Sequence, residues 1–168
     1  MARRRLSQHQ QYTNPKYQAG DSMLEQESIV YGVIRDVATE GSEFLLRSRR
    51  VNSEAILSLG DVDGFPHLTT SMFAIPVEEL EQGTYRTQVI HFAGSYHAVE
   101  YHWEQWLAKF EALLERMYWV SATVHLETGL SGSHTFQWDS PGAFHAPSDE
   151  FSVHCEWEHA LAVGQTPS

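Results

Sequence analysis

Histidine and acidic residues are the side chains of this chain that could hold a metal ion, and histidine occurs 10 times in 168 residues. Metal ligands must lie close together and converge on one point. His97 and Glu100 are three residues apart, so in a helix they would share a face. Glu156 and His159 have the same spacing, but they fall in a predicted strand, where side chains three apart point to opposite faces. The pattern therefore predicts no metal site.

Three further histidines support an alternative function as a small α+β enzyme. His91 lies in a predicted strand, and His134 and His145 flank a loop that contains Pro141 and Gly142. With an acidic partner, such a histidine would serve general acid–base or metal-assisted catalysis. The double His-x-His pattern of a cupin is missing. We assign no catalytic residue and no cofactor, and binding is favoured over catalysis.

Two potential nucleophiles lack the partners that catalysis requires. The sequence Gly-Leu-Ser-Gly at 129–132 resembles a nucleophile elbow, but its second glycine comes one residue too early and no helix follows. Cys155 lies in a predicted strand in which the neighbouring His154 points to the opposite face, so no base lies beside the thiol. We expect Cys155 to be a buried, small apolar residue.

Aromatic and acidic residues on predicted strands indicate a binding site. Tyr85, Trp138 and Trp157 would line a cleft by stacking and cation–π contact, and Glu127 would supply the counter-charge for a partly apolar cation. In the alternative interpretation, Trp138 and Trp157 fill the core beneath a helix. Both interpretations stay open for these two tryptophans.

Seven segments carry β-branched and aromatic residues in patterns that are typical of strands. The first two, joined by a turn at Gly41, are predicted to form a hairpin. The segments are Ile29–Val37, Glu43–Val51, Thr69–Ile75, Thr84–Phe92, Val120–Glu127, His134–Trp138 and Phe151–Val163.

One long amphipathic helix is predicted from Tyr96 to Tyr118, with Ser95 as its N-cap. Its apolar residues recur at spacings of three and four, and a helix with one buried face should lie across a sheet. We expect Trp103 and Trp106 to fill the core on this face. The predicted fold class is α+β, a mostly antiparallel curved sheet packed on one long amphipathic helix.

Length and composition limit the domain organisation. The chain is long enough for one domain with a real core. We predict a flexible N-terminal arm at 1–27, a single α+β domain at 28–163 and a tail at 164–168. A single cysteine, Cys155, excludes a disulfide within the chain and fits a reducing, cytoplasmic location.

Charge and hydropathy exclude two classes of partner. The formal net charge is −11, whereas a surface that binds nucleic acid should be basic. No apolar run reaches the roughly 18 residues of a membrane span. Arg3, Arg4 and Arg5 precede no apolar stretch, so the N-terminus does not read as a secretory signal. We therefore predict a small-molecule ligand, no nucleic acid and no membrane, with a homodimer as a further expectation.

The predicted order strand–helix–strand–strand from Thr84 to Trp138 is accompanied by short motifs at matching positions. These are Tyr31-Gly32-Val33-Ile34, Phe73-Ala74-Ile75-Pro76, Gly83-Thr84-Tyr85, the strand Val89–Gly94, and Trp103 with Trp106-Leu107. Together they resemble the GyrI-like effector-binding domains, which occur alone or attached to bacterial transcription activators. The family begins with a strand and a helix, where this chain has a polar arm, and it has one strand fewer after the central helix.

The resemblance implies a small-molecule-binding module without catalysis. The family's acidic ligand-pairing residue lies on a strand after the helix, and by resemblance it maps to Glu127. The predicted function is that of a stand-alone sensor or sequestering protein for a small molecule, with a hydrophobic cation as the ligand class. Tyr85, Glu127, Trp138 and Trp157 are its predicted ligand-binding residues.

Overall fold

The fold is α+β, a six-stranded antiparallel sheet with two α-helices. The computed structural model describes residues 27–38, 42–75, 89–129 and 131–158. The elements are β1 (Glu27–Arg35), α1 (Ser42–Leu57), a 3-10 helix (Thr70–Met72), β2 (Phe73–Ala74), β3 (Val89–His97), a second 3-10 helix (Val99–His102), α2 (Trp103–Leu114), β4 (Ser121–Thr128), β5 (Gly132–Asp139) and β6 (Ser152–Glu158). None of the described helices is both long and apolar enough to cross a membrane.

The strand order is β2-β3-β1-β4-β5-β6, and all neighbouring strands are antiparallel. Because β3 and β4 both run antiparallel to β1, they are parallel to each other, and α2 makes the crossover between them. By the same argument β1 and β2 are parallel, and α1 lies in the connection between them. These two interleaved split β-α-β units are the arrangement of ferredoxin-like sheets. The strands β5 and β6 extend the sheet beyond β4.

Alternation along the strands gives the sheet two distinct faces. In β1, Val30 and Ile34 are fully buried, whereas Ile29, Tyr31 and Val33 are partly exposed. We call the buried side the inner face, because the hydrophobic core joins it to residues of α1 and α2. We call the opposite side the outer face, where no described helix packs.

The predicted hairpin of Ile29–Val37 and Glu43–Val51 is wrong, because the second segment belongs to α1. The buried face of this helix is partly polar, with Ser48 and Asn52 almost fully buried. The Asn52 amide donates to the Tyr118 carbonyl at 2.8 Å and accepts from the Tyr118 N–H at 2.7 Å. A helix that buries polar residues has a weak apolar stripe, so periodicity did not identify it.

The single long helix predicted from Tyr96 to Tyr118 is also wrong. Tyr96 and His97 remain in β3, paired with Ser28 and Glu27 of β1. Ala98 then adopts a left-handed conformation with φ of 53°, and a 3-10 helix precedes α2. As a result α2 has only 12 residues and α1, with 16, is longer.

The remaining strand predictions fare better. The structure confirms strands at β1, β4, β5 and β6, with ends that differ from those predicted. Within Thr69–Ile75 only Phe73 and Ala74 form a strand, because a 3-10 helix precedes them. The predicted N-terminal arm, apart from Glu27, lies outside the described residues, as do the C-terminal tail and the segment 84–88.

Candidate functional site

A cavity of about 410 Å³ lies beside β3, where that strand meets the loop that follows α1. We call residues 58–69 the pocket loop and this cavity the pocket. Its volume is in the range of small-molecule sites. The lining residues are Asp61, Val62, Asp63, His67, Thr69, Met72, Gly94, Ser95 and Tyr96.

Turn geometry and one lysine fix the course of the pocket loop. Gly60 has φ of 72°, a left-handed conformation that suits glycine, and its carbonyl accepts from the Thr70 N–H at 2.9 Å. Lys109 reaches the loop from α2, and its Nζ lies 2.5 Å from Asp63 Oδ2, 2.7 Å from the Gly64 carbonyl and 3.0 Å from the Pro66 carbonyl. Gly60 is thereby hydrogen-bonded to the 3-10 helix, and Asp63 and Gly64 are bonded to α2.

A chain of hydrogen bonds connects the wall of the pocket to the core. The indole N–H of Trp106, which is fully buried, donates to the Tyr96 hydroxyl at 2.9 Å. That hydroxyl donates to the carbonyl of His67 at 2.6 Å and lies 3.3 Å from the sulfur of Met72. Gly94 lets Met72 pack closely against the wall, because a Cβ there would lie only 2.8 Å from Met72 Cε. The wall is therefore built on α2 and not only on surface loops.

The pKa values of two lining residues follow from these contacts. Burial raises the pKa of Tyr96 to about 12, the Trp106 N–H acts against this rise and the charge of Asp63 adds to it. For Asp63, burial pushes the pKa up, but the hydrogen bonds from Lys109 and the Leu68 N–H, together with the charge of Lys109, lower it overall. At neutral pH Tyr96 is therefore an uncharged hydroxyl and Asp63 is a carboxylate.

The second carboxylate of the pocket, that of Asp61, lacks a counter-charge among the residues that the structure describes. Asp61 is exposed, and its carboxylate forms no hydrogen bond or ion pair with any described residue. Because Lys109 compensates Asp63, Asp61 leaves the pocket with a net negative charge. The neighbouring Val62 and Met72 supply apolar surface. The arrangement offers a counter-charge beside apolar groups, which suits a small cation with an apolar part.

The four residues predicted from the sequence do not lie in this pocket. Tyr85 lies outside the described residues. Glu127 lies on the outer face, where it accepts a hydrogen bond from the Tyr31 hydroxyl at 2.8 Å. This bond, with burial and the charge of Glu127, raises the pKa of Tyr31. Trp138 and Trp157 lie on the inner face, so the sheet separates both of them from Glu127.

The two tryptophans of the inner face differ in their surroundings. Trp138 is fully buried in the core, and its indole N–H donates to Glu111 at 3.2 Å. Trp157 is 51% exposed, stacks on His134 and donates to the carbonyl of Ser131 at 2.7 Å. Trp138 therefore matches the core-filling interpretation, whereas Trp157 presents an aromatic surface at the β6 edge of the sheet.

The histidines considered for catalysis are not brought together. His91 lies exposed on the outer face, and His134 lies on the inner face, where burial lowers its pKa. His145 is fully buried and stacks on Trp119, and its ring nitrogens lie 2.9 and 3.1 Å from backbone carbonyls. These three rings belong to separate surroundings and do not form one site.

The residues with metal-ligand spacing do not converge either. His97 is an exposed residue of β3, whereas Glu100 accepts a hydrogen bond from the buried Ser28 of the inner face. Glu156 lies on β6 and His159 lies outside the described residues. Across the described ranges, no group of three or more histidine, cysteine or acidic residues is placed to hold a metal ion.

The expectation that Cys155 is buried is wrong, because its side chain is exposed at the sheet edge. The residue lies on the inner face of β6, beyond the part of this face that the helices cover. Although the side chain is exposed, neighbouring atoms shield its thiol from part of the solvent, and this desolvation, together with the charge of Glu156, raises the pKa of the thiol. A raised pKa makes the thiolate scarce at neutral pH and argues against a nucleophilic role.

The acidic residues of the pocket lie in a short sequence pattern that sequence reasoning interpreted only as a turn. Gly60-Asp61-Val62-Asp63-Gly64 contains two carboxylates between two glycines. The partner of Asp63, Lys109, lies 46 residues further along the chain, so sequence reasoning could not tell which of the two acids would lack a partner among the described residues. Comparisons of the chain with models of protein families, with characterised proteins and with solved structures found no match.

Proposed function

We propose that this protein binds a small organic cation with an apolar part in the pocket and acts as a sensor or sequestering protein without catalysis. The observation that carries the proposal is the carboxylate of Asp61, which has no partner among the described residues, at a cavity of about 410 Å³. The ligand's cationic group would lie against Asp61, and its apolar part against Val62 and Met72.

Electrostatics beyond the pocket support the same ligand class. The formal net charge of −11 attracts cations and repels anions at long range. Lys109, which reaches the pocket loop from α2, is held by Asp63 and two carbonyls and is not free to pair with an anionic ligand. The single cysteine also supports our proposal of a cytoplasmic location, where such a ligand would be met.

The resemblance to GyrI-like effector-binding domains implies the same ligand class with a different carboxylate. It assigns the counter-charge to Glu127, which lies on the outer face and is bound by Tyr31. In the site proposed from the pocket, the counter-charge is Asp61. Because the two carboxylates lie on different parts of the domain, substitution of each one separately decides between them.

Isothermal titration calorimetry with benzylamine and benzyltrimethylammonium tests the proposal, with benzyl alcohol as the neutral control of similar shape. We expect both cations to bind and the alcohol to bind more weakly. Asp61→Asn should weaken cation binding about fivefold, the loss of roughly 1 kcal/mol of ion pairing. Asp139→Asn, on the outer face, is the matched control and should bind as the unchanged protein does.

The outcomes separate the alternatives. Binding that Glu127→Gln abolishes and Asp61→Asn leaves unchanged would favour the site implied by the resemblance. Equal affinity for benzyl alcohol and the cations would contradict the assigned ligand class. A thermal shift with divalent metals alone would move the proposal toward a histidine enzyme, since a true ligand at about 100 times its dissociation constant adds roughly 2.7 kcal/mol of stability.

A further inference from the structure

The outer face of the sheet is left uncovered by the described elements. Both helices and the core lie against the inner face. The outward residues of the central strand β1 are 36–40% exposed, although they are large and apolar: Ile29, Tyr31 and Val33. Val89 of the neighbouring β3 is exposed to the same extent, at 37%. An apolar stripe therefore runs along the middle of an otherwise polar surface.

Charge is distributed unevenly along this stripe. The outward residues of β1 are, in order, Glu27, Ile29, Tyr31, Val33 and Arg35. One end of the stripe is therefore acidic and the other basic. The register strengthens the acidic end, because Glu127 of β4 lies directly opposite Ile29.

These five side chains complement the same five side chains of a second β1 that runs in the opposite direction. If a second β1 lies antiparallel over the first, Tyr31 lies over Tyr31 and Val33 lies over Ile29. At the two ends Arg35 then lies over Glu27. A two-fold axis that runs across the strands, parallel to both sheets and midway between them at the level of Tyr31, produces this pairing and makes the interface isologous.

We propose that the outer face binds a second copy of this chain, so that two sheets stack face to face about this axis. The Tyr31–His125 stack, with 4.9 Å between ring centroids, gives the centre a preformed aromatic surface. Stacked sheets lie about 10 Å apart, so side chains of both faces meet in one layer. The pairing of Arg35 with Glu27 of the partner subunit fixes the antiparallel orientation.

The size of the face is adequate for such a contact. Five neighbouring strands from β3 to β6 span about 19 Å across, and eight residues span about 26 Å along, a flat footprint of roughly 500 Å². Protruding side chains make the accessible area of this face larger than its flat footprint. The area therefore approaches the roughly 800 Å² per partner of a stable interface. The like charge of the two copies opposes association, but physiological salt screens it beyond about 8 Å.

Sedimentation velocity of the full chain at 0.15 M salt, across a range of protein concentrations, tests the proposal. We expect a species of twice the 19.1 kDa chain mass. Val33→Lys places a charge in the apolar stripe and should weaken association at least tenfold. Leu46→Lys, at a 67% exposed leucine of α1, is the matched control and should leave association unchanged.

Exchanging the charges of Glu27 and Arg35 tests the antiparallel orientation of the two copies. The test compares two single variants with the double variant, so it does not rest on one variant that could fail to fold. Glu27→Arg and Arg35→Glu should each weaken the dimer, and the double variant should restore it, because the pairs re-form with opposite sign. A monomer at every concentration would overturn the proposal, as would a dimer that Val33→Lys leaves intact. Val33 and Arg35 pair with His91 and Val89 of β3, which do not line the pocket, so Val33→Lys and Arg35→Glu test association without changing the proposed ligand site.

Discussion

Lys109 of α2 holds the carboxylate of Asp63 in the pocket loop, with 2.5 Å between Nζ and Oδ2. The two side chains are only 32% and 28% exposed, and the lysine also donates to two carbonyls of the same loop. The three acceptors surround one ammonium group, so a single side chain makes three of the contacts that hold the loop against α2.

Lys109→Met should therefore loosen the pocket loop. We expect a loss of about 1 kcal/mol in the free energy of unfolding, since a partly exposed ion pair with its hydrogen bonds contributes at this level. Urea denaturation measures the loss, and calorimetry with benzylamine measures the accompanying change in affinity. Arg50→Met, at an exposed residue of α1, is the control and should be neutral. A variant as stable as the unchanged protein would show that the loop does not depend on Lys109.

The lowered pKa of Asp63 predicts a specific dependence of stability on pH. Because the pKa in the folded state lies below the ordinary value of 3.8, the contribution of the carboxylate is fully present above that value. It is lost as the pH falls through the lower pKa of the folded state. The stability difference between the unchanged protein and Asp63→Asn should shrink in acid, as measured by urea denaturation at a series of pH values. A difference that stays constant into strong acid would contradict this assignment.

Tyr96→Phe should destabilise the core as well as the pocket. The variant removes the acceptor of the Trp106 indole N–H, which is fully buried, and leaves this donor without a partner. A buried donor that loses its partner costs about 1–3 kcal/mol. Thermal and urea unfolding measure the cost. Tyr118→Phe, whose hydroxyl has no hydrogen bond with any described residue, should change stability by much less; equal losses in both variants would argue against the role of this bond.

The strands could be predicted from the sequence because their burial is one-sided. In β4 and in the second half of β5 the apolar residues alternate with polar ones and are the ones that the sheet buries. In β1 both faces carry apolar residues, and the strand was predicted from its β-branched and aromatic residues instead. The helix α1 could not be predicted in the same way, since it buries two polar residues: Ser48 donates to the Leu45 carbonyl within the helix, and Asn52 bonds the backbone of the distant Tyr118. Periodicity detects apolar burial, whereas buried hydrogen bonds leave no period in the sequence.

The candidate site escaped prediction for a different reason. The aromatic residues chosen from the sequence were of suitable types, but residue type does not specify the face of the sheet in a strand whose neighbours are unknown. The register places Glu127 opposite Ser133 on the outer face, away from Trp138. The pocket, in turn, combines a loop, an edge of β3 and a lysine of α2. Asp61 can be identified as the binding carboxylate only once Lys109 is known to pair with Asp63.

Gly32 in the central strand should tolerate no side chain. A Cβ at this position would lie 2.3 Å from the backbone oxygen of Thr123 and 2.6 Å from Phe92. The oxygen belongs to the neighbouring strand β4 and cannot move without disturbing the sheet. We expect Gly32→Ala to cost about 3 kcal/mol or more in the free energy of unfolding. Gly129→Ala, where a Cβ meets no atom within 4 Å, is the control and should unfold at nearly the unchanged urea concentration.

The buried ion pair beneath α1 allows a test of coupling between two residues. Asp36 is almost fully buried, and its carboxylate accepts from Arg49 Nε at 2.7 Å and from the Val37 N–H at 2.7 Å. Arg49→Met removes the positive charge and leaves a buried carboxylate without its counter-charge, which should cost about 3 kcal/mol. Asp36→Asn in the same chain removes the stranded charge, so the double variant should be more stable than Arg49→Met alone. Urea denaturation of the two single variants and the double variant measures the coupling free energy. Additive losses would show instead that the two side chains stabilise the fold independently, through packing and the hydrogen bond to Val37.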